Sequence, residues 1–312
     1  MSEIKSYQRI FIFLLLALLI TCLISPWAAA LWNLAVQAHP QWEKYHYPFS
    51  SMFGRLFMVF GVVLFFLWRR LLKIESFAQL GLQPLRQGLP DITEGFLLAI
   101  ASMVMLAVVM SFSDVFTPYL RLPFSAGLGR SLKALLQGLT VGFLEEIFFR
   151  GILLKGLLED QKTASALAAT SLFYSAIHFV KPAKNFTVSG LDPWAGFRHV
   201  LYAFAPFLDP TNLLPGLFGL FLIGAVLGYA FLRTGSLYLS IGLHAGWVFG
   251  IKTVRVYGDY RREELGWLFG ATDPKLVSGV ATWLALLIVA YVVHLMTRGR
   301  EHLRTGQTMR GP

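Results

Sequence analysis

The chain has 312 residues, of which 56% are hydrophobic and only 14% are charged. This composition excludes an ordinary soluble domain and indicates an integral membrane protein. The net charge of +10 lies mostly in connecting segments and tails, where basic residues meet anionic lipid headgroups, so it gives no support for nucleic-acid binding.

Apolar runs long enough to cross a bilayer recur along the chain, since a spanning helix needs about 20 mostly apolar residues. We predict eight such spans, at approximately residues 10–31, 53–68, 92–112, 132–157, 163–180, 213–232, 236–251 and 277–296. The sequence contains no apparent internal repeat that would divide these spans between two domains. We therefore expect one all-α domain over residues 1–312, a polytopic membrane helix bundle with about eight transmembrane helices.

The first span has two possible interpretations. Ala28 and Ala30 have the small-residue spacing of a signal-peptide cleavage site, but the run is long for a signal peptide, so we predict a retained anchor. The single cysteine, Cys22, lies in this run, which excludes an intramolecular disulfide. Basic residues at the N-terminus and in the segment 69–73 favour cytoplasmic termini.

Two connecting segments are unusual. Residues 75–91 are interpreted as an interfacial linker, in which Pro84 and Pro90 are expected to prevent a long helix. The long connection 181–212 combines aromatic residues with prolines, which favours a functional or interfacial role over a plain turn. His199 in this connection and His294 in the last span are assigned to packing.

The fourth span places Glu145, Glu146 and Arg150 inside an apolar run. Ionisable residues at that depth are costly in lipid and usually mark a functional site. On an α-helix, Glu146 and Arg150 share a face and can form an ion pair, which lowers the cost of burying both charges. We assign this pair a supporting, structural role. Glu145 points about 100° away and is left to face partners from elsewhere in the chain.

Histidines in two later spans are the candidate partners of Glu145. With a helical rise of about 1.5 Å per residue, Glu145 lies about 18 Å, His178 about 24 Å and His244 about 14 Å from the same membrane side. These depths allow all three side chains to line one cavity. A carboxylate in such an environment can act as a general base on water, and a histidine can orient the water and share its proton.

Three motifs occur in order between residues 141 and 247, namely Glu145-Glu146-x-x-x-Arg150, Tyr174-x-x-x-His178 and His244-Ala245. This pattern resembles the CAAX protease and bacteriocin-processing family of intramembrane glutamic peptidases, which includes the Ras-converting prenyl endopeptidases. The resemblance implies a protease-like transmembrane domain whose core motifs lie in residues 132–251. It also implies a peptide or membrane-protein substrate.

The resemblance further implies a role for each residue of the site. Glu145 would activate the water, His178 would orient it, and His244 would donate to the oxyanion of the scissile carbonyl. The family usually has an asparagine four residues after the second histidine, where this chain has Val248. Because valine has no donor, Ser240, one turn before His244, is the nearest candidate to replace it.

Other functions remain open at this point. A catalytically silent relative could use the same bundle as a membrane scaffold or partner-binding protein, and a transporter could use the buried Glu and His residues as a proton relay. No duplicated half supports the transporter. The sequence has no His-Glu-x-x-His motif and no cysteine cluster. Metal binding through Glu and His stays an alternative, ranked below a metal-free mechanism because the ligand spacing fits no compact site, and we expect no cofactor. We expect a location in the inner membrane of a bacterium.

Overall fold

The computed structural model describes residues 5–70, 72, 74–180, 186–188, 190–261, 264–270 and 276–308, with side chains to residue 299. Parts of the predicted segments 69–73 and 181–212 lie outside these residues. The helices are α1 Ser6–Ala38, α2 Phe49–Trp68, α3 Leu85–Phe112, α4 Phe124–Glu146, α5 Lys155–Asp160, α6 Thr163–Ile177, α7 Ala195–Ala203, α8 Pro210–Thr234, α9 Tyr238–Thr253, α10 Gly266–Phe269 and α11 Val280–Thr308. The only strands in the described ranges are β1 Phe116–Pro118 and β2 Gly258–Tyr260.

Several helices are long and apolar enough to cross a membrane. These candidate spans are Ser6–Ala38, Phe49–Trp68, Ala78–Phe112, Pro210–Thr234 and Val280–Gly299. The other three predicted spans correspond to α4 with its continuation, to α6 and to α9. Helices α6 and α9 have only 15 and 16 residues. The all-α, polytopic membrane fold predicted from the sequence is confirmed.

The prolines before the third span do not act as predicted. Helix α3 begins at Leu85, with Pro84 at the N-cap and Pro90 inside the helix. The N-cap position suits proline because its φ of −52° leads directly into the helix. Pro90 removes one backbone hydrogen bond near the helix start, a loss that membrane helices tolerate through local adjustments. The expectation that Pro90 prevents a long helix is therefore wrong.

The chain divides into two compact units. The first comprises Met1–Glu75 and Ile177–Leu213, and the second comprises Ser76–Ala176 and Leu214–Pro312. The organisation of residues 1–312 as one protease-like domain stays a prediction.

In the first unit, α7 packs against α1, and α1 packs against α2. His199 of α7 is only 2% exposed. Its ring lies 5.6, 4.9 and 5.2 Å from the rings of Phe49, Phe53 and Phe186. Within the described part of the chain, its Nδ1 atom has no hydrogen-bond partner. The assignment of His199 to packing agrees with this aromatic environment.

This environment predicts an acid-sensitive first unit. Burial lowers the pKa of His199 from its ordinary value of 6.5. The His199 ring therefore binds a proton at higher pH in the unfolded chain than in the folded chain. The free energy of unfolding consequently has its full value above pH 6.5. It is expected to fall as the pH decreases below that value towards the folded-state pKa.

Thermal unfolding in detergent between about pH 8 and about pH 5 measures this effect. His199→Phe, whose ring does not titrate, should flatten the pH dependence of the unfolding midpoint. His46 is exposed, so His46→Gln is the matched control. This variant should show the same pH dependence of the unfolding midpoint as wild type. Equal pH dependence in wild type and His199→Phe would contradict the prediction.

In the second unit, α3 and α4 both pack against α9. The contacts are close because glycines face backbone atoms of the neighbouring helix. A Cβ atom at Gly138 of α4 would lie 2.6 Å from the carbonyl oxygen of Ala245, and one at Gly242 of α9 would collide with the carbonyl of Ile92. This packing brings the buried side of α9 against the charged end of α4.

A short ribbon follows α3 and α9 in the chain. Strands β1 and β2 are antiparallel, with Phe116 opposite Tyr260. The hydroxyl groups of Ser131 in α4 and Tyr257 lie 2.8 Å apart, which connects α4 to the segment after α9. The position of α9 along α4 is therefore fixed by hydrogen bonding as well as by helix packing.

Candidate active site

The helix that carries the paired glutamates changes form directly after them. Helix α4 ends at Glu146 and continues as a π-helical segment, Ile147–Leu154, before α5. Such segments are rare, contain an extra residue per turn and occur frequently at functional sites. The sequence analysis assumed regular α-helical geometry and did not predict this segment.

Arg150 lies in the π-helical segment and is 1% exposed. One terminal nitrogen donates to Glu146 Oε1 at 2.7 Å, and the other donates to the carbonyl oxygen of Gly224 at 3.0 Å. The predicted ion pair between Glu146 and Arg150 is confirmed. The guanidinium also connects this segment to α8, through a contact that helical spacing could not predict.

Glu146 is completely buried and has a second partner. Its Oε1 atom lies 2.8 Å from Nδ1 of His244. Because Oε1 also accepts from Arg150 and a carboxylate can only accept, Nδ1 is the protonated nitrogen of the ring. In the neutral ring Nε2 is then an acceptor, and it donates only in the imidazolium form. The sequence analysis had left Glu146 with Arg150 alone and missed its contact with His244.

Glu145 is the accessible carboxylate of the site. Its side chain is 32% exposed, and its Oε2 atom lies 3.8 Å from Nε2 of His244. This separation is longer than a direct hydrogen bond. His244 therefore lies between two different carboxylates, one completely buried and bonded to Nδ1, the other half-buried and facing Nε2.

Tyr174 of α6 packs against this arrangement and is 2% exposed. Its ring meets the ring of His244 edge-on, with centroids 6.1 Å apart and an angle of 79°. The guanidinium carbon of Arg150 lies 4.9 Å from the centre of the same ring. Tyr174 thus contacts both the ion pair and the histidine.

The sequence analysis suggested the hydroxyl of Ser240 as an oxyanion donor, but this hydroxyl already donates to a backbone oxygen. The hydroxyl of Ser240 is buried and donates to the carbonyl oxygen of Leu237, the residue before α9, at 2.9 Å. Ser240 therefore does not offer its proton to a substrate, and the suggestion is corrected. Val248, one turn after His244, is half-buried and has no donor.

The structure brings together Glu145, Glu146, Arg150 and His244, all in the second unit. His178 directly follows α6 and belongs to the first unit, so its place in a common cavity stays a prediction. Among the described residues, no group of three or more His, Cys, Asp or Glu side chains is arranged as metal ligands.

Comparison with known proteins identifies one similarity. Residues 128–250 match the family model described as type II CAAX prenyl endopeptidase Rce1-like. The matched segment includes every residue of the arrangement described above, together with His178. No curated protein and no solved structure shows a significant match to the chain.

Proposed function

We propose that this chain, of which residues 128–250 match the Rce1-like family of type II CAAX prenyl endopeptidases, is an intramembrane endopeptidase that uses a glutamate-activated water. The observation that carries the proposal is the position of His244 between the buried Glu146 and the accessible Glu145. A completely buried partner can fix the histidine, while the half-buried carboxylate of Glu145 serves in proton transfer.

In the proposed reaction, the carboxylate of Glu145 removes a proton from a water molecule as the water oxygen attacks the scissile carbonyl carbon. The carbonyl oxygen becomes the oxyanion of a tetrahedral intermediate. The proton then passes from Glu145 to the amide nitrogen as the carbon–nitrogen bond breaks. Glu145 returns to its carboxylate form. The hydroxyl group of the water is now on the carbonyl carbon of one product, and its proton is on the amine of the other.

His244 acts on the oxyanion. Its Nδ1–H bond to Glu146 fixes the ring so that Nε2 faces Glu145. In the imidazolium form, Nε2 donates to the developing negative charge, which is the kind of preorganised stabilisation that lowers the barrier most. Arg150 keeps Glu146 in place and is a positioning residue. His178 enters the proposal through the family motif, as the residue that orients the water.

The substrate in this proposal is a peptide or a membrane protein, and the protein acts in contact with membrane lipid, without nucleic acid. Its long apolar helices make it an integral membrane protein. We place it in the inner membrane of a bacterium, with residues 1–312 forming one protease-like domain around the motifs in residues 132–251.

Turnover of a membrane-peptide library by the purified, lipid-reconstituted protein tests the proposal. Wild type should cleave at least one peptide, EDTA should not change the rate, and Glu145→Ala should be inactive, because the base is a carboxylate. Glu159→Ala, at the exposed end of α5, is the matched control and should be active.

Two alternatives to this mechanism have their own results in this assay. Absence of cleavage, or equal cleavage by Glu145→Ala, would favour the catalytically silent scaffold. Loss of activity with EDTA that zinc restores would identify a metal-dependent enzyme instead.

A further inference from the structure

Helix α2 carries an arginine inside its apolar span. The helix begins at Phe49, so Arg55 lies about 9 Å along it. Only 6% of the apolar stretch of α2 is buried within the protein, and the helix therefore meets lipid over most of its surface. A charged side chain at such a position is costly in lipid, so the guanidinium needs an anion or hydrogen-bond acceptors close to it.

The protein does not supply that anion. Among the described residues, none forms a salt bridge or a hydrogen bond with Arg55. Its guanidinium lies instead over the ring of Tyr47, with the guanidinium carbon 3.8 Å from the ring centre. Helical side chains point back towards the start of their helix, and Tyr47 precedes α2. The charge is thereby brought to the end of the span, where the phosphates of lipid headgroups lie.

Tyr47 belongs to a stack of rings formed by α1 and the connection between α1 and α2. The ring of Trp32 stacks with the rings of Trp42 and Tyr47, with centroids 6.3 Å apart in both pairs and planes inclined by 13° and 21°. The indole nitrogen of Trp32 donates to the carbonyl oxygen of Tyr45 at 2.9 Å, which joins the connection to α1. The stack therefore fixes the ring on which Arg55 lies.

A guanidinium held against a ring keeps its N–H donors at its edge. These donors form a planar fork that matches two oxygens of a phosphate, and such charge-assisted pairs are among the strong hydrogen bonds of proteins. Lys44 lies over the ring of Tyr45 at 5.0 Å and is a second exposed cation of the same region. Between residues 39 and 55 these two cations are accompanied by one acidic residue, Glu43. The local charge therefore favours an anionic lipid over a zwitterionic one.

We propose that Arg55, held against Tyr47, binds the phosphate of an anionic glycerophospholipid at the membrane surface where α2 begins. Arg55 donates two hydrogen bonds to the phosphate oxygens, and Lys44 attracts the anionic headgroup. The acyl chains of the lipid lie along the apolar surface of α2. This site belongs to the first unit and does not depend on the proposed peptidase function.

Native mass spectrometry of the full chain in detergent, titrated with phosphatidylglycerol, measures the affinity. Arg55→Gln should bind the lipid at least about tenfold more weakly than wild type, because it removes a charge-assisted pair. Arg198→Gln is the matched control in the same unit, since Asp192 already neutralises Arg198, and its affinity should lie within about twofold of wild type. Equal affinity of Arg55→Gln and wild type overturns the proposal. An equal loss in Arg198→Gln would reduce the effect to net charge and overturns it as well.

Two further titrations identify the ligand. Phosphatidylcholine, which is zwitterionic, should bind wild type about fivefold more weakly than phosphatidylglycerol does. Equal affinity for the two lipids contradicts the anionic preference and overturns the proposal. Soluble glycerol phosphate at the same concentration should not displace phosphatidylglycerol. Displacement would identify a site for free phosphate and overturns the assignment to lipid.

The variant Arg55→Lys covers poor folding of Arg55→Gln. It retains the charge and the apolar stem but lacks the planar fork, so it should bind phosphatidylglycerol about fivefold more weakly than wild type. Its unfolding temperature without added lipid should equal that of wild type, and the increase on addition of phosphatidylglycerol should be smaller. Unchanged affinity in Arg55→Lys overturns the two-donor contact with phosphate.

Discussion

Replacing Glu145 by glutamine is expected to lower kcat by about 10³-fold while the protein remains folded. The amide has the shape of the carboxylate but cannot accept a proton from water. Because the Glu145 side chain is 32% exposed, the substitution does not leave a fully buried group without solvation. Activity should fall much more than stability.

The measurement is turnover of a cleaved peptide beside thermal unfolding of the same preparation. Glu145→Asp is the conservative comparison, since it retains a carboxylate at a different distance and should regain part of the rate. Wild-type kcat in Glu145→Gln would remove Glu145 from the mechanism.

For the second variant, Arg150→Ala, we expect the free energy of unfolding to fall by about 3–5 kcal/mol. The substitution leaves the completely buried carboxylate of Glu146 without its counter-ion, and the carbonyl of Gly224 without its donor. It also frees Oε1 from one of its two partners, which loosens the orientation of His244.

Denaturant and thermal unfolding in detergent measure this loss against a matched exposed pair. Arg198 pairs with Asp192, and its side chain is 55% exposed, so Arg198→Ala should cost only about 0–1 kcal/mol. A double variant, Glu146→Gln with Arg150→Met, should recover part of the loss because no unpaired charge remains buried. Equal destabilisation by Arg150→Ala and Arg198→Ala would contradict the buried ion pair.

The helical fold was predictable because a long apolar run forms a helix in a bilayer, where every backbone polar group must be hydrogen-bonded within the segment. The start of α3 at Leu85 was not, since polar residues and Pro90 occupy its first turns. Strands β1 and β2 have three residues each, which is too short for a period of two to be recognised.

The site was predictable where it depends on spacing along one helix. The pair Glu146 and Arg150 follows from a separation of four residues. The contact between Glu146 and His244 depends on how α4 and α9 approach each other, and glycine contacts such as Gly138 with Ala245 set that approach. No sequence period encodes which residues meet across two helices, so both glutamates and His244 could be assigned to the site, but the contact between Glu146 and His244 could not be predicted.

The shortness of α9 has a consequence for how the protein is made. Its 16 residues span about 24 Å, less than the hydrocarbon core of about 30 Å. All residues from Tyr238 to Trp247 are buried in the protein, and one of them is a histidine, so α9 gains little from entering lipid by itself. Helix α8 is long and apolar enough to enter, and the turn at Gly235 connects the two. We therefore expect α9 to enter the membrane together with α8 during synthesis, and His244 to reach its place only once α3 and α4 pack against α9.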